Sequence, residues 1–209
     1  EANDEGDPKN NVTYRDIIYT LSNPFKGEKK ELHKTKLRFR NIRWSDTGHA
    51  LVSERFWKNR SEITSLINTR SRTLEKVLFD RKYDDIYSDP GSPILTKNNF
   101  GRNIFQIRKN SILMIGQGGS PEGYRPFLSS FNTKSLDRKI LFRSEAPYYE
   151  RPIKLYAQNE KIIITSRESI NENPNYFLRN VQSNTLNQIT NFTNPYKKLD
   201  DLKKEVINY

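Results

Sequence analysis

The residue types that most often perform catalysis or bind metal ions are scarce in this chain. It contains no Cys, which excludes disulfides, thiol nucleophiles and thiolate metal sites. Its two histidines, His33 and His49, lie sixteen residues apart with no paired ligands nearby, so a histidine-rich metal site is not expected. Either imidazole could act as a general base, but both are interpreted as surface residues. The sequence therefore predicts no metal ion and no cofactor.

The serine closest to a nucleophile motif is Ser120, in the glycine-rich run at residues 116–123 (GQGGSPEG). Serine hydrolases commonly place the nucleophile in Gly-x-Ser-x-Gly on a strand-to-helix turn. Ser120 is not framed in this way, and Pro121 prevents a helix from following. The aspartates within residues 84–89 likewise lack the spacing of an EF-hand. We therefore assign no catalytic residue to this chain and interpret both stretches as loops.

Positive charge is a prominent feature of the composition. Lys and Arg total 36 against 25 Asp and Glu, a formal net charge of +11 that is spread along the chain. Basic residues alternate with aromatic ones, as in residues 38–40 (RFR) and 55–58 (RFWK). Such a pattern could stack nucleic-acid bases, form ordinary exposed strands, or present Arg to a carboxylate in a cavity. The pattern alone does not distinguish these uses.

The elements that would position these side chains are predicted to be short β-strands. Apolar runs alternate with turn-forming clusters, and a strand–polar turn–strand unit recurs at residues 67–79, 131–142 and 181–192. The Phe residues that close these units are 63 and 50 positions apart, a spacing typical of propeller blades. We predict an all-β fold: a partial β-propeller of about three four-stranded antiparallel blades plus part of another. A β-sandwich with the same strand spacing is the alternative.

Three segments are predicted along the chain. Residues 1–11 form a polar entry segment that reads as a tail or exposed loop, and residues 12–194 form the blades. Residues 195–209 form a linker or a short helix that leads toward a following domain. Residues 84–99 and 117–126 are predicted to be long loops on a propeller face, because Pro and Gly interrupt them. No apolar run approaches the ~20 residues that span a bilayer, so no membrane association is expected.

A long collinear series of motifs carries a family resemblance. Its sharpest parts are residues 87–93 (YSDPGSP) and 116–123. The other motifs include residues 1–8 (EANDEGDP), 23–28 (NPFKGE), 42–44 (IRW), 143–150 (RSEAPYYE), 174–179 (PNYFLR) and 204–209 (KEVINY). Together they resemble the glutamyl endopeptidase-like branch of the prolyl oligopeptidase family over essentially the whole chain. Since the chain begins with Glu1 and not Met, we expect it to be part of a longer protein.

The resemblance implies that the chain is the C-terminal part of the N-terminal propeller of a serine peptidase. In that family an α/β-hydrolase domain with the Ser, Asp and His of the active site follows the propeller. The chain itself is then not catalytic, and its partners are that hydrolase domain and peptide substrates. The family propeller covers the active site and limits which peptides enter. The resemblance also implies a periplasmic or secreted bacterial location.

Members of this branch tend to cleave after Glu, so the resemblance implies acidic, Glu-containing substrates. Arginine is the natural partner of a carboxylate in a cationic cavity. Arg55, Arg151 and Arg167, near strand ends or loops, are the candidate substrate-binding residues. Ordinary surface or blade-packing roles are the alternative for each.

A different class of function is a stand-alone, propeller-like module that binds an anionic partner such as nucleic acid. The spread of charge and the fractional number of blades disfavour it, so no nucleic-acid partner is expected. An open sheet edge would also permit self-association.

Overall fold

The computed structural model describes residues 1–157 and 159–196 of the chain. The first strands in chain order are β1 (Asp16–Thr20), β2 (Lys30–Thr35), β3 (Arg38–Trp44), β4 (His49–Phe56), β5 (Ser61–Asn68), β6 (Thr73–Lys82), β7 (Ser92–Pro93), β8 (Leu95–Lys97) and β9 (Asn103–Phe105). The remaining strands are β10 (Ser111–Gly116), β11 (Gly119–Ser120), β12 (Gly123–Tyr124), β13 (Phe127–Asn132), β14 (Arg138–Arg143), β15 (Tyr149–Tyr156), β16 (Asn159–Glu168), β17 (Asn175–Asn180) and β18 (Leu186–Gln188). None of these residues belongs to a helix that could cross a membrane.

Three sheets have four strands each. The first has the order β3-β4-β5-β6, the second β7-β10-β13-β14 and the third β15-β16-β17-β18. β1 and β2 pair with each other ahead of the first sheet, and the hairpins β8-β9 and β11-β12 are insertions within the second. This meander order is that of propeller blades, whereas β-sandwiches use Greek-key connections. The predicted fold class, an all-β partial propeller with about three four-stranded antiparallel blades plus part of another, is confirmed.

The two segments predicted to be loops contain short strands. β7 and β8 lie within residues 84–99, and the β11-β12 hairpin lies within residues 117–126. Glycine is required in both segments because the backbone approaches another chain segment closely. A Cβ on Gly91 would lie 2.2 Å from the carbonyl oxygen of Ile115, and one on Gly118 would lie 2.1 Å from that of Arg125. Both glycines also have positive φ, which other residues rarely adopt.

The repeated turns have one local structure. The Oδ1 atom of a leading Asn accepts hydrogen bonds from the backbone N–H groups two and three residues later, at Asn68, Asn132 and Asn180. Four residues after each Asn, the chain adopts a positive φ. An Asn side chain that accepts backbone N–H bonds in this way closes an Asx turn.

The hydrogen bonds of the third repeat shift the sequence alignment by two residues. The repeat predicted at residues 181–192 places Gln182 at the position that Asn68 occupies in the first repeat. The turn is closed by Asn180, which precedes that segment. Matching the apolar residues Val181 and Ile67 gives the wrong register. The repeat is defined instead by the Asn side chain that closes each turn, which is Asn180 in the third repeat.

The described chain divides into two compact units. Unit 1 comprises Glu1–Pro90, Leu95–Ile112 and Phe131–Asp137; unit 2 comprises Gly91–Ile94, Leu113–Ser130 and the described part of Arg138–Tyr209. One core cluster lies in unit 1 and contains Leu32, Val52 and Ile67, with Ile18 and Ile42 against it. Another lies in unit 2 and is centred on Ile94, Leu128 and Ile163. Burial of such side chains stabilises each unit by about 1.5–3 kcal/mol per residue.

Within unit 1, the entry segment at residues 1–11 is attached to the rest of the unit by a buried carboxylate. Asp4 is 1% exposed and receives hydrogen bonds from Arg15 at 2.8 Å and from Arg38 at 2.7 Å. Arg38 also contacts Asp16 of β1 at 2.9 Å. Burial opposes ionisation of Asp4, but the two guanidinium groups outweigh it, and its pKa is lowered. Nothing in the polar sequence of this segment predicted a buried, paired side chain. Of the segment predicted at 195–209, residues 197–209 lie outside the described residues.

Candidate functional site

Arg167 lies near the end of β16, the second strand of the third sheet. It pairs with Glu150 of β15 on one side and with Asn175 of β17 on the other. Paired residues of neighbouring strands project from the same face of a sheet, so the backbone register fixes the direction of the Arg167 side chain. The strand supplies a rigid base for a guanidinium group close to the loops that follow the strand ends.

Aromatic rings hold this guanidinium group. The Cζ atom of Arg167 lies 3.3 Å from the ring centroid of Tyr148 and 5.5 Å from that of Phe177. A planar guanidinium that stacks on an aromatic face keeps its N–H donors in the plane of the group, where they are available to a ligand. The stack therefore fixes the orientation of the donors without consuming them.

The donors of Arg167 are unpaired within the described residues, where no ion pair or hydrogen bond to this side chain is present. Its Nε atom is sealed from solvent without a partner, a property shared in the described part of the chain only with Oγ of Ser129. A ligand cannot reach the sealed Nε, so the donors that could meet one are those of the two Nη atoms, which make no hydrogen bond to the described residues. A carboxylate presents two oxygens that match a guanidinium edge.

The loops around Arg167 are fixed by hydrogen bonds. The Tyr148 hydroxyl donates to Oε1 of Glu172 at 3.1 Å, which joins the loop before β15 to the loop after β16. Oγ of Ser144 donates to the Tyr148 carbonyl oxygen at 2.9 Å and accepts from the Glu150 N–H at 2.7 Å. These bonds position the Tyr148 ring before any ligand arrives.

A second loop of unit 2 joins the same corner. The Tyr149 hydroxyl contacts Oε1 of Gln117 at 2.8 Å, and Nε of Arg125 donates to the Ser144 carbonyl oxygen at 3.2 Å. The glycine-rich segment at residues 117–126 is thus attached to the loop that carries Tyr148. We call Arg167, Tyr148, Phe177 and Glu172 the Arg167 corner.

Arg151 lies on β15 but not at this corner. It pairs with Ser166, the residue before Arg167, so the two arginines project from opposite faces of the third sheet. The side chain of Arg151 is exposed. The structure therefore does not bring these two predicted residues together.

Arg55 belongs to unit 1 and already has a partner. Its Nε donates to Oε1 of Glu62 at 2.7 Å, and its guanidinium lies 4.9 Å from the Tyr83 ring centroid. Glu62 also accepts from Nη1 of Arg81 at 3.0 Å. Arg55 belongs to a packed ion-pair network of the first sheet, the alternative that the sequence left open for each arginine.

The other residue types considered from sequence have local roles. Oγ of Ser120 contacts Oε2 of Glu122 at 2.9 Å and the Gly123 carbonyl oxygen at 2.8 Å within its own turn. Oδ1 of Asp85 accepts from the N–H of Tyr87 at 3.0 Å in the 84–89 loop. Burial lowers the pKa of His33. Within residues 1–157 and 159–196, no group of three His, Cys, Asp or Glu side chains is arranged to hold a metal ion.

Sequence reasoning missed the residues that complete the corner. The alternation of basic and aromatic residues in the sequence does not indicate which ring meets which cation. Only the pairing of β15 with β16 places Tyr148 against Arg167, nineteen positions away in sequence. The pairing of Tyr148 with Glu172 has no signal in the sequence.

Comparison with known proteins shows which proteins the chain is similar to. The chain is 37% identical over 227 aligned positions to a protein of Arabidopsis thaliana named "Probable glutamyl endopeptidase, chloroplastic". It is equally 37% identical over 226 positions to the protein of the same name from Oryza sativa subsp. japonica. The chain is thus similar in sequence to part of two proteins named as probable glutamyl endopeptidases. All of it aligns in both comparisons, and it spans 24% of the length of each relative. The resemblance predicted from the motifs is confirmed.

Two further comparisons add less to this glutamyl endopeptidase relationship. No family model matches the chain. Among solved structures, TolB from Acinetobacter baumannii superimposes with a TM-score of 0.44 at 12% identity, covering 85% of this chain and 38% of that one. The similarity to glutamyl endopeptidases therefore comes from the two plant proteins alone among these comparisons.

Proposed function

We propose that this chain is the non-catalytic propeller segment of a serine peptidase, and that it gates the active site and selects peptide substrates. The chain aligns along its whole length with about a quarter of two glutamyl endopeptidases. The rest of the complete protein supplies an α/β-hydrolase domain with the catalytic Ser, His and Asp. That domain and peptide substrates are the partners of this segment, in a periplasmic, secreted or organellar compartment.

The single observation that carries substrate selection is the unpaired guanidinium of Arg167. A segment that selects acidic peptides needs a cation that is oriented and not already neutralised. Arg167 meets both conditions, since Tyr148 holds it at 3.3 Å and it has no ion pair among the described residues. Arg55 does not, because Glu62 already binds it. We therefore assign recognition of the substrate carboxylate to Arg167.

The physical basis of this selection is that a guanidinium pairs more strongly with a Glu carboxylate than with a Gln amide. A Glu-containing peptide pairs its carboxylate with the donors of Arg167, whereas the Gln analogue supplies only a neutral amide oxygen. Charge-assisted hydrogen bonds are about twice as strong as neutral ones. Since the Arg167 side chain is only partly buried, we expect a preference of up to about fivefold for the isolated chain.

The test compares two peptides that differ in one group. Binding of an unstructured peptide with a central Glu, and of the same peptide with Gln, is measured by NMR titration of the 209-residue chain. We expect the Glu peptide to bind more tightly, and the preference to vanish in Arg167→Gln. Arg151→Gln is the matched control, because it removes the same charge from the opposite face of the same sheet. Equal binding of the two peptides, or equal loss in both variants, would contradict the assignment.

A further inference from the structure

A cleft that is separate from the Arg167 corner lies wholly within unit 1. Its volume is about 520 Å³, and it opens between the ends of β4 to β6 and the turns around residues 110 and 133. Buried Leu66 and partly buried Ile107 give it an apolar floor. Such a volume with an apolar floor and a few polar groups is typical of small-molecule sites.

The wall of the cleft is braced by hydrogen bonds. The N–H and Oγ1 of Thr133 both donate to the carbonyl oxygen of Asn110, at 2.8 and 3.1 Å. Asn110 and its neighbour Lys109 have φ of 62° and 49° in a two-residue turn that mutual bonds between Arg108 and Ser111 close. The Asn110 side chain, in contrast, makes no hydrogen bond within the described residues. It offers an amide donor to the cleft.

The charges around the cleft are unbalanced. The acid that lines it, Glu75, already accepts hydrogen bonds from its neighbours, with Oε1 lying 3.1 Å from Nε2 of His49 and 3.0 Å from Nδ2 of Asn68. Lys76 and Lys134 also line the cleft, and neither has an ion pair among the described residues. The lining of the cleft thus includes two lysines and one acid, and Oε1 of that acid is engaged by His49 and Asn68.

We propose that this cleft binds an oxyanion, the carboxylate or phosphate group of a small ligand. Lys76 and Lys134 supply the positive charge, and the Asn110 amide supplies a neutral donor. Most surface lysines lie on open surface. These two lysines instead line a cleft with an apolar floor, and the hydrogen bonds between Thr133 and Asn110 fix its wall. The site does not depend on the proposed peptidase function, since none of its residues belongs to the Arg167 corner.

The test uses two simple anions at constant ionic strength. The ¹⁵N-labelled chain is titrated separately with glutarate and with inorganic phosphate, and the backbone amide shifts of Asn110 and Lys134 are followed. We expect saturable shifts with at least one anion, and a two- to fivefold weaker affinity in Lys76→Gln and in Lys134→Gln, about the contribution of one exposed ion pair. Lys139→Gln is the control, an exposed lysine of the same charge outside the cleft.

The outcomes separate the ligand classes. Saturation by glutarate alone identifies a carboxylate ligand, by phosphate alone a phosphate ligand, and by both a general oxyanion site. Linear, non-saturating shifts with both anions would overturn the proposal. An equal loss of affinity in Lys139→Gln would also overturn it, because the effect would then come from net charge. Arg167→Gln should leave this binding unchanged, which keeps the result independent of peptide selection.

Discussion

The guanidinium of Arg167 lies 3.3 Å above the ring of Tyr148, and the hydroxyl of that tyrosine donates to Glu172. One side chain thus orients the cation and ties two loops together. Tyr148→Phe should keep the stack and most of the Glu-over-Gln peptide preference. Tyr148→Leu should remove the stack and abolish most of that preference, because the guanidinium is then free to turn away. Paired peptide titrations of both variants check this. Equal behaviour of the two variants would show that the ring does not position Arg167.

The buried Asp4 makes the attachment of the entry segment sensitive to pH. Its pKa is lowered by Arg38 and Arg15 despite burial. A lowered carboxyl pKa contributes stability above the ordinary value of 3.8 and loses it as the pH falls through the folded pKa. Asp4→Asn should therefore lower the melting temperature at pH 7, and the gap to the wild type should shrink toward pH 3. Asp7→Asn, an exposed control on the same segment, should change little at either pH. A gap that does not vary with pH would refute this assignment.

The pKa shift of Glu54 has the opposite sign to that of Asp4. Burial raises its pKa above the ordinary value of 4.5, although backbone N–H groups of Leu37 and Lys36 oppose the shift. A raised carboxyl pKa means that its contribution to stability is greatest below 4.5 and is lost as the pH rises through the folded pKa. Glu54→Gln keeps an oxygen acceptor for the Leu37 N–H and removes the charge. Its melting temperature relative to the wild type should rise from pH 4 to pH 7. A constant difference across that range would argue against a buried, charged Glu54.

The ion pair between Glu150 and Arg179 should make a large contribution to the stability of unit 2. Two hydrogen bonds of 2.6 Å join the guanidinium to the carboxylate, and Oγ1 of Thr165 donates to the same carboxylate at 2.8 Å. Glu150→Ala leaves the Arg179 charge buried without its carboxylate, at a cost of about 3–5 kcal/mol in urea unfolding. The double variant with Arg179→Met should recover most of that loss. For Glu145→Gln, which weakens only an exposed contact of 3.7 Å to Arg125, we expect less than about 1 kcal/mol. Similar losses of unfolding free energy in all three variants would contradict a larger contribution from the buried pair than from the exposed one.

The parts of the fold that follow local rules were predictable from sequence. Turn-forming residues and their spacing gave the strands and the number of blades, since an Asn such as Asn68 or Asn132 closes its turn with nearby backbone groups. The site was only partly predictable. Arg167 was one of three candidate arginines, but its stack on Tyr148 depends on the pairing of strands distant in sequence. The engagement of Arg55 with Glu62 depends on the register of β4 and β5, where Arg55 pairs directly with Glu62. Burial of Asp4 depends on Arg15, which precedes β1, and on Arg38 of β3, and no local pattern reveals this arrangement.

Substrate selection by this segment is best measured in a complete peptidase that contains it. The measurement is the ratio of kcat/KM for a Glu-containing peptide to that for its Gln analogue, in the wild type, Arg167→Gln and Arg151→Gln. We expect a ratio well above one in the wild type and in Arg151→Gln. In Arg167→Gln the ratio should fall several-fold toward one, with cleavage of the Gln peptide retained. An unchanged kcat/KM ratio in Arg167→Gln would contradict selection of the substrate by Arg167.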